Sequence, residues 1–321
     1  MAGQPTYPLV QHPTRFVWDF WYYHDADEKL FHVLFLNADR SLAATDAHHW
    51  QAQVGYATTR DFVSVDWHAT DVFTADPDGW DNTSIWTGDL IRGREGFILL
   101  YTSRSRDVGD GMTQNIGMAV SKDLRHWERV PDFRLAPDPQ YYEAHTHPED
   151  DSIHAWRDPY LFRHNGQLFM LVAAKGRDLL PGRKGVVGLL RSVDGSLLNW
   201  EALPPLYASG YVSECDVPIL YTLDGTSKLV YTVHARYDHA PMTGGAGGLH
   251  GISTPALFVK PWMGPAVLLA KASGMYAARV IPELGGDIVG PDFRLGGWQR
   301  VPAQTGFRHV DRDFRDLWPG G

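Results

Sequence analysis

Hydrophobic residues in this chain fall in short runs instead of recurring at helical spacing. The runs at 30–37, 55–58, 97–103, 116–121, 167–174, 186–191 and 228–234 are rich in β-branched and aromatic residues and are bounded by Gly, Asp, Asn and Pro. No long segment repeats its apolar positions every three to four residues, so long helices are not expected. The pattern is that of an all-β chain made of many short strands.

The runs also recur in a fixed context. Thr59-Arg60-Asp61 leads to Trp67, Ser121-Lys122-Asp123 to Trp127, and Ser192-Val193-Asp194 to Trp200, each copy following two β-runs. Between them stand acidic clusters, each beside an aromatic or an arginine: Trp18-Asp19-Phe20-Trp21, Trp86-Thr87-Gly88-Asp89, Arg157-Asp158-Pro159 and Ser213-Glu214-Cys215. Asp19, Asp89, Asp158 and Glu214 follow one another at 70, 69 and 56 residues. Self-similarity at such a period marks small antiparallel sheets arranged radially, a β-propeller. Units of about 62 residues divide the 321-residue chain into five. Simple blades take roughly 40–50 residues, so long loops are expected here. One five-bladed domain over 1–321 follows, with blades roughly at 15–75, 76–145, 146–205, 206–265 and 266–315. Residues 141–152 and the glycine-rich 242–251 read as long connections. An irregular β-sandwich with chance repeats is the competing architecture.

Composition narrows the function. The 12 Trp, 14 Tyr and 14 Phe exceed what packing needs, and sugar-binding clefts are commonly lined by aromatics. A net charge of −9 without a basic run makes nucleic acid and anionic membranes poor partners. The single cysteine, Cys215, forms no intrachain disulfide. The first 16 residues lack a basic segment followed by an apolar one, and no apolar stretch reaches the ~18 residues of a membrane span. A soluble, cytoplasmic location is the expectation.

Equivalent strands of a propeller aim their ends at one central point, so the periodic acids are expected to converge. Converging carboxylates are what glycosidic cleavage needs, because one protonates the leaving oxygen while another attacks or activates water. These residues resemble the clan that contains glycoside hydrolase families 32 and 68 (invertases, levanases, levansucrases), with arabinan-cleaving family 43 a more distant relative. Arg157-Asp158-Pro159, within Trp156-Arg157-Asp158-Pro159-Tyr160-Leu161-Phe162, is similar to the Arg-Asp-Pro motif of the fructoside-active families. Glu214-Cys215 resembles the Glu-Cys of family 32, and Trp18-Asp19-Phe20-Trp21 the Trp-Asp-x-Trp that carries the family 68 nucleophile. Phe31-His32-Val33-Leu34-Phe35 resembles the strand after the family 32 nucleophile, and Ile85-Trp86-Thr87-Gly88-Asp89 the second-blade Ser-Gly motif. The matches keep their order across residues 15–235. The chain departs from family 32 in lacking Asn-Asp-Pro-Asn and in following Glu-Cys with Asp216-Val217-Pro218 where Pro-Asp is usual. It also ends short of that family's C-terminal β-sandwich.

The resemblance implies a retaining β-fructofuranosidase. Asp19 would be the nucleophile that forms a covalent glycosyl ester. Glu214, its proton affinity raised by partial burial, would be the acid/base. Asp158 would hydrogen-bond ring hydroxyls and stabilise the oxocarbenium-like transition state, with Arg157 keeping it ionised and contacting the sugar. Trp18, Trp50, Trp86 and Asp89 are the further candidates for binding the carbohydrate. His48, His49, His145, His147 and His154 form no metal-ligand signature, and neither a metal nor a cofactor is called for. An inverting arabinofuranosidase or xylosidase, with Asp19 activating water, and a non-catalytic sugar-binding propeller are the alternatives.

Overall fold

The structure, a computed structural model, describes residues 7–254, 256–258, 265–270 and 275–319. Residues 1–6 of the N-terminal stretch, and 259–264 and 271–274 at the expected boundary of the fourth and fifth units, lie outside the described residues. Among the described residues the strands form five antiparallel sheets. The first is β1 (Arg15–Asp25), β2 (Leu30–Asp39), β3 (Gln53–Thr59) and β4 (Val65–Phe73); the second β5 (Ser84–Arg92), β6 (Phe97–Arg104), β7 (Gln114–Ser121) and β8 (Glu128–Arg129). The third is β9 (Trp156–His164), β10 (Gln167–Lys175), β11 (Gly185–Ser192) and β12 (Trp200–Ala208); the fourth β13 (Asp216–Leu223), β14 (Thr226–Val233), β15 (Gly248–Thr254) and β16 (Ala266–Ala270). The fifth is β17 (Arg279–Ile281), β18 (Asp287–Pro291) and β19 (Trp298–Val301). Each sheet is a simple meander, and the five form a β-propeller, as the spacing predicts. No helix among the described residues is long and apolar enough to cross a membrane.

The repeated Thr/Ser-x-Asp element is the turn between the third and fourth strands of a blade. Asp61 Oδ1 accepts the amides of Val63 and Ser64, and Asp123 Oδ1 those of Arg125 and His126. Thr59 Oγ1 and Ser121 Oγ take the intervening amides. Short polar side chains that satisfy local backbone donors define such turns, so the motif recurs wherever the meander turns the same way. Apolar side chains fill the spaces between neighbouring blades. Trp298 of the fifth blade, fully buried, sits 5.0 Å from Trp67 of the first, ring centre to ring centre. The ring is closed by backbone pairing as well, since Val10 exchanges two 2.8 Å hydrogen bonds with Trp298. At the other end of the chain β20 (Arg308–His309) adds to β13, and the segment after it runs beneath blades three and two, burying Phe314.

The innermost strands carry the feature that positions the site. β1, β5, β9 and β13 each lose register with their neighbour near their start: between Val17 and Phe20, between Trp86 and Gly88, opposite Leu171 and Ala173, and between Asp216 and Ile219. A bulge lets a strand turn a side chain out of the alternating pattern, and bulges favour strand ends beside active sites. Two bulges hold non-glycine residues in the left-handed region, Asp158 at φ 58° and Val217 at φ 49°. That conformation is costly for a β-branched residue and persists only where the surroundings enforce it.

Candidate active site

Three of these strands, β1, β9 and β13 with the residues leading into it, deliver four carboxylates to one pocket of about 440 Å³ at the head of the inner strands, and the bulge of β5 adds Thr87. Asp19 comes from β1, Asp158 from β9, Glu214 from the residue pair leading into β13, and Asp216 from the first position of β13. The pocket therefore unites the three acids expected from the sequence and adds a fourth. Asp19 accepts a short hydrogen bond from Thr87 Oγ1 on the neighbouring blade. Burial, and then the charge of Asp216, raise its pKa to about 6 against the pull of Thr87, Arg279 and Arg157.

Asp158 is almost fully buried, and its Oδ2 accepts the Val217 amide at 2.9 Å, which accounts for the strained backbone at Val217. The Asp158 amide is in turn held by Thr102 Oγ1 at 2.9 Å. Burial first and Asp216 second push the Asp158 carboxyl above the ordinary carboxylate range. Arg157 opposes this, but its Nε stands 3.8 Å from Asp158 Oδ2. Arg157 thus helps to keep Asp158 ionised, as expected, but its hydrogen bonds go elsewhere. Its guanidinium gives Nε (3.1 Å) and Nη2 (2.6 Å) to Asp216 Oδ1, while Nη2 also lies 3.1 Å from Glu214 Oε1. Nη1 is occupied by Gln114 Oε1 at 3.3 Å and the His154 carbonyl at 3.2 Å. Burial works to deprotonate Arg157, and the carboxylates of Asp216, Glu214 and Asp158 outweigh it and hold it charged.

Glu214 is 6% exposed. Burial, followed by Asp216, raises its carboxyl above the usual range. Its backbone rests against Gly185, where any Cβ would come within 2.5 Å of the Glu214 amide nitrogen. Only glycine permits that approach. Cys215 is buried and unpaired, and faces the apolar core between blades instead of the pocket.

The aromatic candidates separate. Trp50 stands at the rim with 44% of its surface exposed. Trp86 lines the wall, its Nε1–H donating to the His49 carbonyl at 2.9 Å. Arg104 lies between them, 4.1 Å above the Trp50 ring and 4.5 Å above that of Trp86. Trp18 also borders the pocket but is buried edge-on against His48, so it is a supporting wall more than a stacking surface. Asp89 does not belong to the site. It accepts the Leu161 amide at 2.8 Å and pairs with Arg312 through both oxygens, at 3.0 and 2.8 Å, at the opposite end of the inner strands. Strands advance ~3.3 Å per residue, so a residue two places beyond Thr87 on β5 points into a different depth of the axis.

Residues that sequence reasoning passed over complete the pocket: Thr87, Asp216, Tyr276, His49, Arg104 and Phe293. Thr87 sits inside a motif already singled out, and Asp216 stands where the chain departs from the Glu-Cys-Pro-Asp pattern. Tyr276, from the segment before β17, has no local signal. Burial, then His48, Arg104 and Arg157, lower the His49 pKa to about 3 and keep it neutral.

A model of the glycosyl hydrolases family 32 N-terminal domain matches residues 21–245, beginning just after Asp19. A sucrose-6-phosphate hydrolase of Lactococcus lactis subsp. lactis is 25% identical over 157 residues, 47% of this chain and 30% of that protein. One from Zymomonas mobilis subsp. mobilis is 27% identical over 195 residues, 57% of this chain and 34% of that protein. The chain thus spans about a third of the length of these relatives. Among solved structures, the β-fructofuranosidase catalytic domain of Microbacterium saccharophilum K-1 superposes with a TM-score of 0.67 at 17% identity, covering 96% of this chain and 79% of that one. The inulosucrase of Halalkalicoccus jeotgali bound to kestose gives 0.68 at 18% identity, covering 98% and 94%. Bacillus subtilis levansucrase gives 0.66 at 15% identity, covering 90% and 83%. At these identities the structures show a common fold. The family model takes in well over half of the sequence, including the Arg157-Asp158-Pro159 and Glu214-Cys215 motifs, and the chain belongs to glycosyl hydrolase family 32.

Proposed function

We propose that this protein hydrolyses β-fructofuranosides with retention, through a covalent fructosyl–enzyme. The observation that carries this reading is the meeting of Asp19, Asp158 and Glu214 in one pocket beside a shared guanidinium. Asp19, partly open to the pocket and hydrogen-bonded by Thr87, attacks the anomeric carbon. Glu214 protonates the departing oxygen and then takes a proton from the water that resolves the ester. Burial makes ionised Asp158 costly in the empty site. Positive charge growing on the sugar ring relieves that cost, so its attraction is greatest in the transition state. The relatives named as sucrose-6-phosphate hydrolases and the kestose-bound neighbour agree with this substrate class.

Incubation with sucrose, kestose, inulin, levan and an aryl arabinofuranoside tests the reading directly. Release of fructose, first as the β-anomer by NMR, is the expected result. Release of arabinose alone, or inversion at the anomeric carbon, would overturn it. Arg157→Lys is expected to fold and to lose about 10- to 150-fold in kcat/KM, since one ammonium cannot serve Asp216, Glu214, Gln114 and the His154 carbonyl together. Wild-type efficiency in that variant would reduce the arginine to a charge alone.

A further inference from the structure

Resting on the assignment of Glu214 as acid/base, we propose that Asp216 is a positioning residue that keeps the Glu214 carboxyl protonated and turned toward the leaving oxygen. The two residues are two apart, and both side chains are buried and line the pocket. They share Nη2 of Arg157, at 2.6 Å from Asp216 Oδ1 and 3.1 Å from Glu214 Oε1. Two carboxyl groups so close cannot both ionise cheaply, and the number of donors each receives decides which one carries the charge.

Asp216 receives three. Nε and Nη2 of Arg157 donate to Oδ1, and the Tyr276 hydroxyl donates to Oδ2. Glu214 has the one guanidinium contact, and no other donor to it is found among the described residues. The donors therefore favour the proton on Glu214. Both oxygens of Asp216 are engaged by protein donors, which fixes its carboxylate beside Glu214 and makes Glu214 the group it acts through. Other charged and titratable groups surround the pair, and Arg104, His234 and Arg236 line the same pocket. Asp158 lies beside Arg157 and Asp19 across the pocket, and burial together with Asp216 raises the carboxyl pKa of each. Lys175 of β10 pulls the Glu214 carboxyl down, but its ammonium is engaged by Asp150 at 2.9 Å and by the Ser213 carbonyl at 2.7 Å. Tyr237 and Tyr276 face the pair as neutral groups, and Cys215, turned into the apolar core, is neutral too, their ionisation suppressed by burial.

Two measurements test this. In the first, kcat/KM for sucrose and for an aryl fructofuranoside is followed against pH in wild type, Asp216→Asn and Tyr276→Phe. Loss of the Asp216 charge should move the alkaline limb down by about one pH unit or more, and Tyr276→Phe should move it less in the same direction. At neutral pH the loss on sucrose should exceed that on the aryl substrate by about tenfold, because the latter leaves without protonation. In the second, NMR of protein carrying 13C at the glutamate carboxyls follows Glu214 directly, identified by the signal missing in Glu214→Gln. Its midpoint should fall in Asp216→Asn whether or not any fructoside is turned over. That separates this proposal from the substrate reading. An unmoved limb and an unmoved Glu214 midpoint in both variants, with activity lowered equally at every pH, would make Asp216 structural only and overturn the proposal. If Asp216→Asn fails to fold, Tyr276→Phe decides by the same criteria.

Discussion

Asp19→Asn is expected to fold normally and to turn over fructosides at less than roughly 10⁻⁴ of the wild-type kcat, the scale of loss seen when a nucleophilic centre is disabled. The amide keeps the oxygen that accepts from Thr87 Oγ1, so the local structure has no reason to change. It cannot form the glycosyl ester, and the neighbouring carboxylates are held by other partners. Asp158 Oδ2 is held by the Val217 amide, and Asp216 receives Nε and Nη2 of Arg157 and the Tyr276 hydroxyl. The substitution also carries a stability signature. Folding raises the Asp19 pKa to about 6, above its unfolded value of about 3.9, so its contribution is fully present below pH ~4 and is lost as pH rises through 6. Asp19→Asn should therefore gain heat stability relative to wild type at pH 7 and not at pH 4. Turnover above about 1% of wild type would remove Asp19 as the nucleophile.

Glu214→Gln is expected to lose about 10²- to 10⁴-fold on sucrose but far less on an aryl fructofuranoside, whose leaving group departs without a proton. The pH profile distinguishes the two carboxyls. Wild-type activity should fall as pH drops through about 6, where Asp19 becomes protonated and can no longer attack. It should fall again as pH rises through the elevated pKa of Glu214, where the general acid is lost. Glu214→Gln should keep the first limb and lack the second. Equal losses on both substrates, or an alkaline limb that survives, would contradict the assignment.

The convergence of Asp19, Asp158 and Glu214 was legible in the chain because a propeller converts sequence period into spatial proximity. Each inner strand begins a blade, so Asp19, Asp158 and Glu214, one blade or more apart, arrive at the same height on one axis. The same logic misplaced Asp89. Its period was right, but height along the axis is set by where a strand bulges, and β5 bulges at Thr87. The hydroxyl that reaches Asp19 is therefore Thr87, and Asp89 is left to pair with Arg312 from the far end of the chain.

Strand pattern, turn chemistry and blade number followed from the sequence by itself, because they depend on side-chain alternation and on short-range hydrogen bonds such as those of Asp61 and Asp123. The meeting of three acids in one pocket followed too, through motifs that stay contiguous in the chain. What only the tertiary structure decided is how charge is distributed among them. Arg157 lies next to Asp158 in sequence, yet a β-strand turns neighbouring side chains apart, and its guanidinium reaches across to Asp216 and Glu214 of the next blade. Tyr276 completes the arrangement from another blade, 60 residues further along the chain. Proton positions in a buried cluster depend on distances of 3–4 Å between groups far apart in sequence, and packing alone sets those distances.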